Sequence, residues 1–479
     1  MVAAKDLTGL DLKGLTSDSR KVEPGYLFAA LAGTKTDGAR FLKDAMAKGA
    51  RVVLGRPELA DEVEGLDLVF IGDENPRLRL ARIAAEFYGA QPETVAAVTG
   101  TKGKSSIVAF LRQIWTHLGR KAASLGTVGV VTPKGEFPLD NTTPDPVEIH
   151  RLLAELKNDG VEYLAIEASS HGLDQYRLDG VFIRGAAFTN LTRDHLDYHR
   201  TFDDYLKAKL RLFTEVVAED GVGVINSDSE HSDAFVEAAL KRGLTLITVG
   251  EAGETIKLLS RQSKGEAQAL TISHCGKIYP VLLPLAGAFQ ASNALVAAGL
   301  AIGLGEDAAK VFAALPHLKG APGRMEKVAF AVSGAPVYVD YAHSPDALEK
   351  VLKALRPHTD NKLHVMFGCG GDRDKGKRPL MGQIAAALAD DVIVTDDNPR
   401  SEDAALIRKE ILTAAPSARE IGDRGQAIRA AIASLQAGDV LVLAGKGHET
   451  GQYVKDKVLP FSDREEAVKV ALSLGGRAA

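Results

Sequence analysis

Apolar and polar positions divide the chain into three successive segments that each predict strands and helices. In residues 1–92, short apolar runs predict strands, and two longer amphipathic runs predict helices. The predicted strands are LFAALAG, RVVLG and DLVFIGD, and the predicted helices are FLKDAMAKGA and LARIAAEFYG. The polar QPET stretch that follows indicates a boundary. We therefore expect a small N-terminal α/β domain.

The second segment, residues 93–322, alternates strand and helix patterns. TVAAVTG is a β-branched apolar run that ends at glycine, which is typical of a buried strand, and the helical pattern KSSIVAFLRQIWTHLG follows it. This alternation predicts a doubly wound, mostly parallel sheet with helices on both faces. The further predicted strands are VEYLAIEAS, GAAFTNL, GVGVINSD and LTLITVG, with ALTISH and KIYPVLLPL as an appended hairpin.

The third segment, residues 323–479, predicts a second, Rossmann-like α/β domain. Its apolar runs VYVDYAH, LHVMFGCGG, DVIVTDD and VLVLAGKG each end in polar residues or glycine. Helical patterns such as LIRKEILTAA and GQAIRAAIASL separate them. Because ligands of such sheets bind beyond the carboxyl ends of the strands, we expect the functional residues at these ends.

Composition and charge exclude several classes of protein. The net charge is −5 and Lys and Arg form no block, which argues against a nucleic-acid partner. Cys275 and Cys369 are the two cysteines of 479 residues, which indicates a reducing compartment rather than a disulfide framework. We expect Cys369 to be a small apolar residue rather than a reactive one. No run of about 18 apolar residues and no apolar N-terminal segment occurs, so we expect a cytoplasmic protein without a membrane span.

A glycine-rich turn between the first strand and the first helix of the middle segment carries the strongest chemical signal. In the motif GTKGKS, glycines let backbone N–H groups surround phosphate oxygens, and the helix N-terminus adds positive potential. Lys104 can reach the outer phosphates, and the Ser105 hydroxyl can ligate Mg²⁺. Val98 replaces the first glycine of the usual motif, and a plain turn with a solvated lysine is the alternative. The expected phosphate-binding residues are Gly100, Thr101, Lys102, Gly103, Lys104, Ser105 and Ser106.

Further candidate residues follow the next strands of the middle segment. Glu167 ends one strand, where a carboxylate suits Mg²⁺, although a capping or solvated role is the alternative. The run TNLTRDHLDYH has two Asp and two His within six residues, which favours metal or substrate binding. In YLKAKLRLF, Lys207 and Lys209 lie two residues apart on a predicted helix and therefore face different directions. For both lysines, an ordinary surface position is the alternative.

Ten motifs in this order resemble those of the Mur ligases of peptidoglycan synthesis, over nearly the whole chain. They are GTKGKS, EASSHGLDQYR, NLTRDHLDYH, YLKAK, GAFQASNALVAAG, PGRME, VDYAHSPDAL, GCGGDRDKGKRP, DDNPR and GKGHE. The resemblance implies three domains, 1–92, 93–322 and 323–479, that bind the uridine nucleotide, ATP and the incoming amino acid.

The resemblance also implies a role for individual residues of the ATP site. Glu167 and His195 would hold magnesium ions together with Ser105. Lys209, rather than Lys207, matches a lysine that carbon dioxide carbamylates, and this carbamate would position a second Mg²⁺. Carbamylation requires a neutral amine, which burial and a nearby metal favour. Asn293 and Arg324 would contact ATP, and Asp340 would lie near its ribose.

Two further groups of residues match the family's substrate sites. The turn of Ser17, Asp18, Ser19 and Arg20 would hold the uridine nucleotide, and Thr142, Thr143, Ser169, Gln175 and Arg177 would bind the muramoyl-dipeptide; Pro144 departs from the usual small residue. The residues expected to bind meso-diaminopimelate are Arg373, Asp397, Asn398, Pro399, Arg400, Gly445 and Glu449.

Within the amino-acid pocket, Arg400 is the residue expected to decide specificity. Its guanidinium would pair with the distal carboxylate of diaminopimelate, which lysine lacks, and Glu449 would pair with the distal ammonium. The alternative for DDNPR is a plain Asn-Pro turn before a helix. An arginine near a helix N-terminus meets unfavourable dipole potential, which indicates an anionic partner.

Taken together, the resemblance implies a cytoplasmic, monomeric ligase that uses ATP and two Mg²⁺ ions. It would join meso-diaminopimelate to the D-glutamate of UDP-N-acetylmuramoyl-L-alanyl-D-glutamate through an acyl phosphate, with domain closure around the reactants. A lysine-adding ligase is one alternative. A folylpolyglutamate synthase-like ligase is another, but it would leave DNPR and TSDSR unexplained. A nucleotide-driven switch or transporter ATPase would need a partner surface or a membrane-facing element, and the sequence indicates neither.

Overall fold

The computed structural model describes residues 11–33, 36–192 and 198–479. Four short parallel strands form its N-terminal sheet. They lie in the order β1-β2-β3-β4, and every neighbouring pair is parallel. The strands are β1 Gly14–Thr16, β2 Tyr26–Ala29, β3 Val52–Gly55 and β4 Val69–Gly72. The helices are α1 Leu42–Ala47, α2 Ala60–Val63 and α3 Pro76–Tyr88.

The two faces of this sheet bury separate apolar clusters, because successive side chains of a strand point to opposite faces. Leu27 and Val52 belong to the cluster that includes α3, whereas Phe28 and Val53 belong to the cluster that includes α1. The predicted small α/β domain is therefore confirmed, with both faces of its sheet covered.

The middle of the chain alternates strands and helices, as its pattern predicted. Its strands are β5 Thr94–Thr99, β6 Ala122–Gly126, β7 Gly129–Thr132, β8 Gly135–Phe137, β9 Tyr163–Glu167, β10 Ile183–Phe188, β11 Val217–Asn226, β12 Thr245–Gly250, β13 Ile256–Lys264, β14 Ala267–His274 and β15 Lys277–Leu283. Its helices are α4 Lys104–His117, α5 Pro146–Asn158, α6 Ser170–Asp174, α7 Phe202–Arg211, α8 Ser232–Arg242, α9 Ala288–Gly303 and α10 Ala308–Ala314.

The described residues divide into two units. The first contains residues up to 104, 119–224 and 230–246, and the second contains 105–118, 225–229 and 247–479. The expected domain boundaries after residues 92 and 322 stay predictions.

In the first unit, the strands of the middle segment lie in the order β11-β10-β5-β9-β6-β7-β8. The central pairs β10–β5, β5–β9 and β9–β6 are parallel, whereas β6–β7 and β7–β8 are antiparallel. The sheet is thus rich in parallel pairs, as expected. Since β5 and β9 are parallel neighbours, the loop after β5 and the end of β9 lie at the same edge of the sheet.

In the second unit, β12 to β15 follow one another, with antiparallel pairs β13–β14 and β14–β15. The expected hairpin is therefore β14–β15, and β13 extends it. The C-terminal strands are β16 Glu326–Phe330, β17 Pro336–Asp340, β18 Leu363–Phe367, β19 Asp391–Val394, β20 Arg419–Glu420, β21 Val440–Ala444, β22 Gly451–Val454, β23 Lys457–Pro460 and β24 Arg477–Ala478. The helices are α11 Pro345–Leu355, α12 Lys377–Leu388, α13 Ala404–Leu412, α14 Arg424–Ala433 and α15 Asp463–Ser473.

The C-terminal sheet has the order β20-β19-β18-β21-β17-β16-β24. Its pairs from β20 to β17 are parallel, and β16 pairs antiparallel with β17 and β24. Separate apolar clusters cover its two faces, one with α11 and α12 and the other with α14 and α15. This arrangement confirms the expected Rossmann-like domain and brings the ends of β17, β18, β19 and β21 to one edge.

Candidate active site

The glycine-rich turn forms a loop at the carboxyl end of β5, directly before α4. Gly100 and Gly103 have φ values of 143° and 92°, in the region that favours glycine. A side chain on Gly100 would collide with the Thr189 hydroxyl. The loop is held from the neighbouring strand, because the Thr101 N–H donates to the Asn190 carbonyl at 2.8 Å and the Lys102 N–H to the Asn190 side chain at 3.0 Å. The predicted strand–loop–helix context of a phosphate site is therefore present.

Two lysine side chains meet at this loop. Lys104 Nζ donates to the carbonyl oxygens of Gly100 and Thr101, at 2.8 and 3.0 Å. Lys209 Nζ donates to the same Gly100 oxygen, at 2.8 Å. The Lys209 side chain is buried, with 1% of its surface exposed, and its ammonium lies 4.5 Å from the centre of the Tyr205 ring. Both lysine side chains therefore lie at the loop that is expected to bind phosphate.

Lys207 has a contrasting environment on the same helix. Its side chain is 69% exposed and forms an ion pair of 2.6 Å with Asp203, one turn earlier on α7. The alternative of an ordinary surface position thus applies to Lys207 and is wrong for Lys209. The assignment of the carbamate to Lys209 stays a prediction, although its side chain has the required position at the loop.

Glu167 ends β9, next to the strand that carries the loop, and is buried with 1% of its surface exposed. Its Oε1 accepts from the Thr127 N–H at 2.8 Å and its Oε2 from the Thr127 hydroxyl at 3.2 Å. A side chain at Gly126 would overlap the carboxylate, so glycine is required beside it. The alternative of a solvated Glu167 is therefore wrong, and the carboxylate lies at the sheet edge where we expected it.

These groups fit Mg²⁺ by their chemistry. Magnesium prefers oxygen ligands and usually takes one or two protein carboxylates, completed by phosphate oxygens and water. Glu167 offers such a carboxylate, and Ser105, the second residue of α4, offers a hydroxyl. His195, the other expected ligand, lies outside the described residues. Within residues 11–33, 36–192 and 198–479, no cluster of three or more His, Cys, Asp or Glu could hold a metal on its own.

Four of the residues expected to bind the muramoyl-dipeptide form one hydrogen-bonded group beside Glu167. Thr143 Oγ1 donates to the Glu167 carbonyl at 2.8 Å and accepts from the Ser169 N–H at 3.1 Å. Arg177 donates to the Thr143 carbonyl at 2.6 Å and to the Gln175 side chain at 2.8 Å. Burial lowers the pKa of Arg177, as expected for a desolvated cation.

Thr142, the fifth expected dipeptide residue, reaches this group through a different contact. Its hydroxyl lies 3.0 Å from the Thr127 hydroxyl, which in turn donates to Glu167. The five residues, which lie in two separate stretches of the sequence, are therefore connected by hydrogen bonds beside the end of β9.

The N-terminal turn expected to hold the uridine nucleotide follows β1. Asp18 caps a short 3₁₀ helix, Ser19–Lys21, by accepting from the Arg20 N–H at 2.9 Å. The Arg20 side chain also donates to Asp18, and this hydrogen bond lowers the pKa of Asp18 to about 2. Ser17 is exposed and Ser19 is half-buried. The turn is thus rigid and accessible, and its nucleotide role stays a prediction.

Three residues expected to contact ATP lie close together in the second unit. Asn293 Nδ2 donates to Gln290 Oε1 at 3.2 Å, and Gln290 Nε2 donates to the Arg324 carbonyl at 3.4 Å. Asp340, at the end of β17, accepts from the N–H groups of Met325 and Ala342, at 2.7 and 2.8 Å. Asp340 therefore fixes the turn that carries Arg324, besides any contact with a ribose.

Tyr341 and His448 were not predicted and lie between these residues and the amino-acid pocket. The Arg324 guanidinium lies 4.5 Å from the centre of the Tyr341 ring, and the rings of Tyr341 and His448 are 5.3 Å apart. Burial and the nearby Glu449 carboxylate raise the pKa of Tyr341. Burial and Arg324 lower the pKa of His448 to about 4, so the imidazole is neutral near pH 7. Both residues stand in motifs shared with the family, VDYAH and GKGHE, but a single tyrosine or histidine in a sequence does not by itself predict a role.

Arg400 stands at the end of the loop after β19 and has a strained backbone. Its φ is 51°, which is uncommon for a residue other than glycine. Its guanidinium donates through one nitrogen to the Gly371 carbonyl at 2.9 Å, and its N–H donates to the Tyr453 carbonyl at 3.0 Å. The backbone is thereby held between two loops. A plain Asn-Pro turn before a helix, the alternative for DDNPR, does not account for these long-range contacts of residue 400, and the role of Arg400 in the pocket stays a prediction.

Asp397 and Gly445 face each other at the ends of β19 and β21. Asp397 Oδ1 accepts from the Asn398 N–H at 2.8 Å. Asp397 Oδ2 is buried and has no partner among the described residues, and a side chain on Gly445 would lie 2.6 Å from it. Gly445 therefore leaves open the space beside a buried carboxylate oxygen. Such a cradle suits a small cationic group.

Asn398 and Glu449 are brought together by a residue that the sequence analysis missed. Asn398 Nδ2 donates to Glu449 Oε2 at 2.8 Å, and Lys446 Nζ donates to the same oxygen at 3.0 Å. Lys446 is fully buried, unlike most lysines, and the only sequence signal for it was its place between two glycines in GKGHE.

The remaining residues of the predicted pocket differ in position. Arg373 is exposed and contacts the neighbouring Asp372 carbonyl at 3.4 Å, so the described structure does not bring it to Asn398 or Glu449. The carbonyl of Pro399 packs against Gly371, where a side chain would collide with it. Arg378, which the sequence did not single out, is fully buried and pairs with Glu402 at 2.9 Å.

Cys369 is buried, which raises the pKa of its thiol to about 12, so it is unreactive as expected.

None of the helices among the described residues combines the length and the apolar character needed to cross a membrane.

Three protein-family models match successive parts of the chain. The model described as Mur ligase family, catalytic domain, matches residues 11–88. The Mur ligase middle domain matches residues 98–301, and the model described as Mur ligase, glutamate ligase domain, matches residues 323–447.

Highly similar relatives are named UDP-N-acetylmuramoyl-L-alanyl-D-glutamate–2,6-diaminopimelate ligase. One from Bradyrhizobium diazoefficiens is 56% identical over 471 residues, which cover 98% of this chain and 96% of the relative. One from Mesorhizobium japonicum is 54% identical over 464 residues, which cover 97% and 95%.

A solved structure of a ligase with the same name is similar with a TM-score of 0.73 and 34% identity, covering 97% of this chain and 95% of that one. The structure of MurF ligase from Thermotoga maritima, solved with ADP, has a TM-score of 0.60 at 18% identity, covering 97% of both chains. The folylpolyglutamate synthase of Mycobacterium tuberculosis has a TM-score of 0.60 at 18% identity and covers 77% of this chain and 92% of its own. The last two likenesses show a shared fold.

Proposed function

The chain belongs to the Mur ligase family, and on this basis we propose that it joins meso-diaminopimelate to the D-glutamate of UDP-N-acetylmuramoyl-L-alanyl-D-glutamate at the expense of ATP. Relatives with this activity in their names match almost end to end, which favours it over a lysine-adding ligase. The likeness to folylpolyglutamate synthase extends to the fold alone. The observation that carries the proposal is that the side chains of Lys104 and Lys209 both donate to the Gly100 carbonyl of the phosphate loop.

The first chemical step is activation of an inert carboxylate. The D-glutamate side chain attacks the γ-phosphorus of ATP, which gives an acyl phosphate and ADP. The loop N–H groups and Lys104 bind the phosphates and neutralise their charge, which is the main demand of phosphoryl transfer. Magnesium, held by Glu167, Ser105 and His195, supplies further charge neutralisation when bound. Thr143, Ser169 and Arg177 then hold the dipeptide beside Glu167.

We propose that Lys209 is carbamylated in the active enzyme and that its carbamate helps to position a second Mg²⁺. Lys209 is buried, and its amine shares an acceptor with the Lys104 ammonium. Burial disfavours the charged form of an amine, and only the neutral amine adds carbon dioxide. Carbon dioxide forms a bond to the neutral amine nitrogen, which loses one proton to solvent, and the product is an anionic carbamate.

In the second step, one amino group of diaminopimelate attacks the activated carbonyl, and phosphate leaves. We propose that Arg400 pairs with the distal carboxylate and Glu449 with the distal ammonium. One guanidinium nitrogen of Arg400 donates to the Gly371 carbonyl, which restrains the planar group, and a planar guanidinium suits bidentate pairing with a carboxylate. Lysine lacks the carboxylate that this arginine would bind, so it should be a poor substrate.

The remaining expectations are part of the proposal. The N-terminal domain would bind the uridine nucleotide through the turn of Ser17 to Arg20, and the reaction would take place in the cytoplasm on small-molecule substrates. The chain is expected to act as a monomer, and light scattering should give the mass of one chain.

The proposed function can be tested with the purified protein. We expect ADP release and formation of the UDP-muramoyl-tripeptide, followed by mass spectrometry, to require ATP, Mg²⁺, the dipeptide precursor and meso-diaminopimelate together. Arg400→Ala should reduce kcat/KM for diaminopimelate by at least about a hundredfold, because a charge-assisted bidentate pair is lost. Arg429→Ala, at an exposed site, serves as the matched control.

Two results would contradict the proposal. ATP cleavage that is independent of both substrates would favour a nucleotide-driven switch instead. Equal turnover of lysine and diaminopimelate by the wild-type protein would remove the role given to Arg400.

A further inference from the structure

A fully buried lysine, Lys446, lies between the two loops that carry the predicted amino-acid pocket. Its Nζ donates to Asn398 Oδ1 at 3.0 Å, to Glu449 Oε2 at 3.0 Å and to the Gly451 carbonyl at 2.6 Å. An ammonium has three donors, so all of them are used. Its exposed fraction is 0%, and a buried cation of this kind is stable only when it is paired and hydrogen-bonded.

These contacts fix the orientation of the Asn398 amide. Oδ1 accepts from Lys446 and from the Tyr453 N–H, at 3.0 Å each, and both partners can act only as donors. A flipped amide would set its NH₂ group against two donors, so that orientation is excluded. The NH₂ group must therefore face Glu449, to which it donates at 2.8 Å. Since Oδ1 already has two donors, Asn398 can offer a substrate only an N–H.

The same contacts orient the Glu449 carboxylate. Lys446 and Asn398 both donate to Oε2, and Oε1 has no hydrogen-bond partner among the described residues. The Glu449 side chain is 27% exposed, whereas Lys446 is not exposed at all. The Lys446 ammonium therefore lies on the buried side of the Glu449 carboxylate, and Oε1 of Glu449 remains available to a ligand.

We propose that Lys446 is a positioning residue for the incoming amino acid, acting through Glu449 and Asn398. This inference rests on the proposed function and deepens it. Lys446 holds one oxygen of Glu449 so that the other can accept from the distal ammonium, and it turns the Asn398 NH₂ group onto the held oxygen as a second donor. Its backbone position suits this role, because Gly445 and Gly447, with φ values of 117° and 54°, form the tight turn after β21.

The first test is the variant Lys446→Met, which keeps the length of the side chain and removes its charge and donors. We expect KM for meso-diaminopimelate to rise at least about tenfold, because both pocket groups lose their orientation. KM for ATP and for the dipeptide precursor should stay within about twofold. The matched control is Lys457→Met, at an exposed lysine of the neighbouring hairpin, which should leave all three values unchanged. An unchanged KM for diaminopimelate in a folded Lys446→Met protein would overturn the proposal.

A double-mutant cycle distinguishes positioning from a purely structural role. If Lys446 acts through Glu449, the pair Lys446→Met with Glu449→Gln should raise KM no more than about twofold beyond Glu449→Gln alone. Additive effects on KM would mean that the lysine acts elsewhere, and the inference would be wrong. Lys446→Gln, whose neutral amide keeps two N–H donors, should restore part of the lost affinity.

Glu449→Gln by itself keeps the test decisive even if the Lys446 variants do not fold. It leaves Lys446 in place and should raise KM for diaminopimelate on its own; an unchanged KM would overturn the inference. The wild-type protein separates this outcome from a failure of the proposed function. If it forms no tripeptide with diaminopimelate, the function itself is wrong, whereas normal wild-type ligation with unaffected variants rejects the role of Lys446 alone.

Discussion

Lys207 and Lys209 stand two positions apart on α7 and have opposite environments. With 3.6 residues per turn, such neighbours point to different sides of a helix. Lys209 is buried at the phosphate loop, and Lys207 is exposed beside Asp203. The sequence showed that the two lysines had to differ, and the family motif selected Lys209. The contact with the Gly100 carbonyl came only from the structure.

We predict that Lys209→Met and Lys207→Met have very different effects on ligation. Lys209→Met should lower the initial rate of tripeptide formation at least about a hundredfold, because it removes the group expected to become the carbamate. Lys207→Met should change the rate less than about twofold, since an exposed ion pair contributes little. Comparable rates for the two variants would refute the assignment of the carbamate to Lys209.

His448 should make the protein less stable in mild acid. Burial and Arg324 lower its pKa from 6.5 to about 4 in the folded state. Between these pH values the unfolded chain binds a proton that the folded chain does not, so the free energy of unfolding falls as the pH falls through this window. Well above pH 6.5 the histidine is neutral in both states and has no effect of this kind.

The variant His448→Gln tests this prediction. Urea denaturation at about pH 7.5 and about pH 5 should show a smaller acid loss for the variant than for the wild type, by less than about 2 kcal/mol after solvent screening is allowed for. The exposed His117, changed to Gln, is the control and should leave the loss unchanged. An identical loss in all three proteins would show that His448 does not carry the effect.

Helix α7 illustrates what can be predicted at the scale of an element. Its amphipathic pattern predicted a helix that contains Lys209, and the structure adds the reason why the helix begins at Phe202. Thr201 and Asp204 form a capping box in which each side chain accepts from the other residue's N–H, at 3.1 and 3.2 Å. A π-helical turn, Leu212–Val216, follows the helix, and no sequence pattern predicted it.

We predict that Thr201→Ala reduces the free energy of unfolding by about 1 kcal/mol, because the Asp204 N–H at the helix start loses the Thr201 hydroxyl as its acceptor. Thr116→Ala is the control, since this exposed threonine only donates back to the Arg112 carbonyl within α4. Chemical denaturation of both variants measures the difference. Equal losses would mean that the capping box does not stabilise α7.

Buried parallel strands were easier to predict from the sequence than glycine-interrupted or exposed strands. The apolar runs of β5, β9, β10, β17, β18, β19 and β21 are all confirmed, because buried parallel strands leave continuous apolar stretches. The strands that were missed include β6 to β8 and β13. In β6 to β8, Gly126, Gly129 and Gly135 interrupt the pattern, and β13 has an almost entirely exposed second half. Such strands exist because a neighbouring strand supplies hydrogen-bond partners.

At the scale of the whole molecule, a buried ion pair connects several loops of the C-terminal sheet. Arg424 donates to both oxygens of Asp463, at 2.7 and 2.6 Å, and to the carbonyls of Asp396 and Ala444, at 3.1 Å each. Both charged side chains have an exposed fraction of 0%. Because Asp396 and Ala444 directly precede the loops of Asp397 and Gly445, this pair supports the amino-acid pocket from behind.

We predict that Asp463→Asn lowers the free energy of unfolding by about 3 kcal/mol or more, because it leaves the Arg424 charge buried without its counter-ion. Asp456→Asn, at an exposed position of the β22–β23 hairpin, should have an effect below about 0.5 kcal/mol. Denaturation curves of the two variants give the comparison. A stable Asp463→Asn protein would show that the surrounding carbonyl groups alone compensate the arginine.

The sequence by itself determined the fold class, the phosphate loop and the family, because apolar periodicity and ordered motifs are properties of neighbouring residues. It did not predict Lys446, Arg378 or the Arg424–Asp463 pair, since a charged residue at the end of a strand looks the same whether it is solvated or buried. The tertiary structure decided which of these charges are desolvated and paired. It did so because contacts between the ends of different strands, such as that of Asn398 with Lys446, depend on long-range packing that local patterns do not encode.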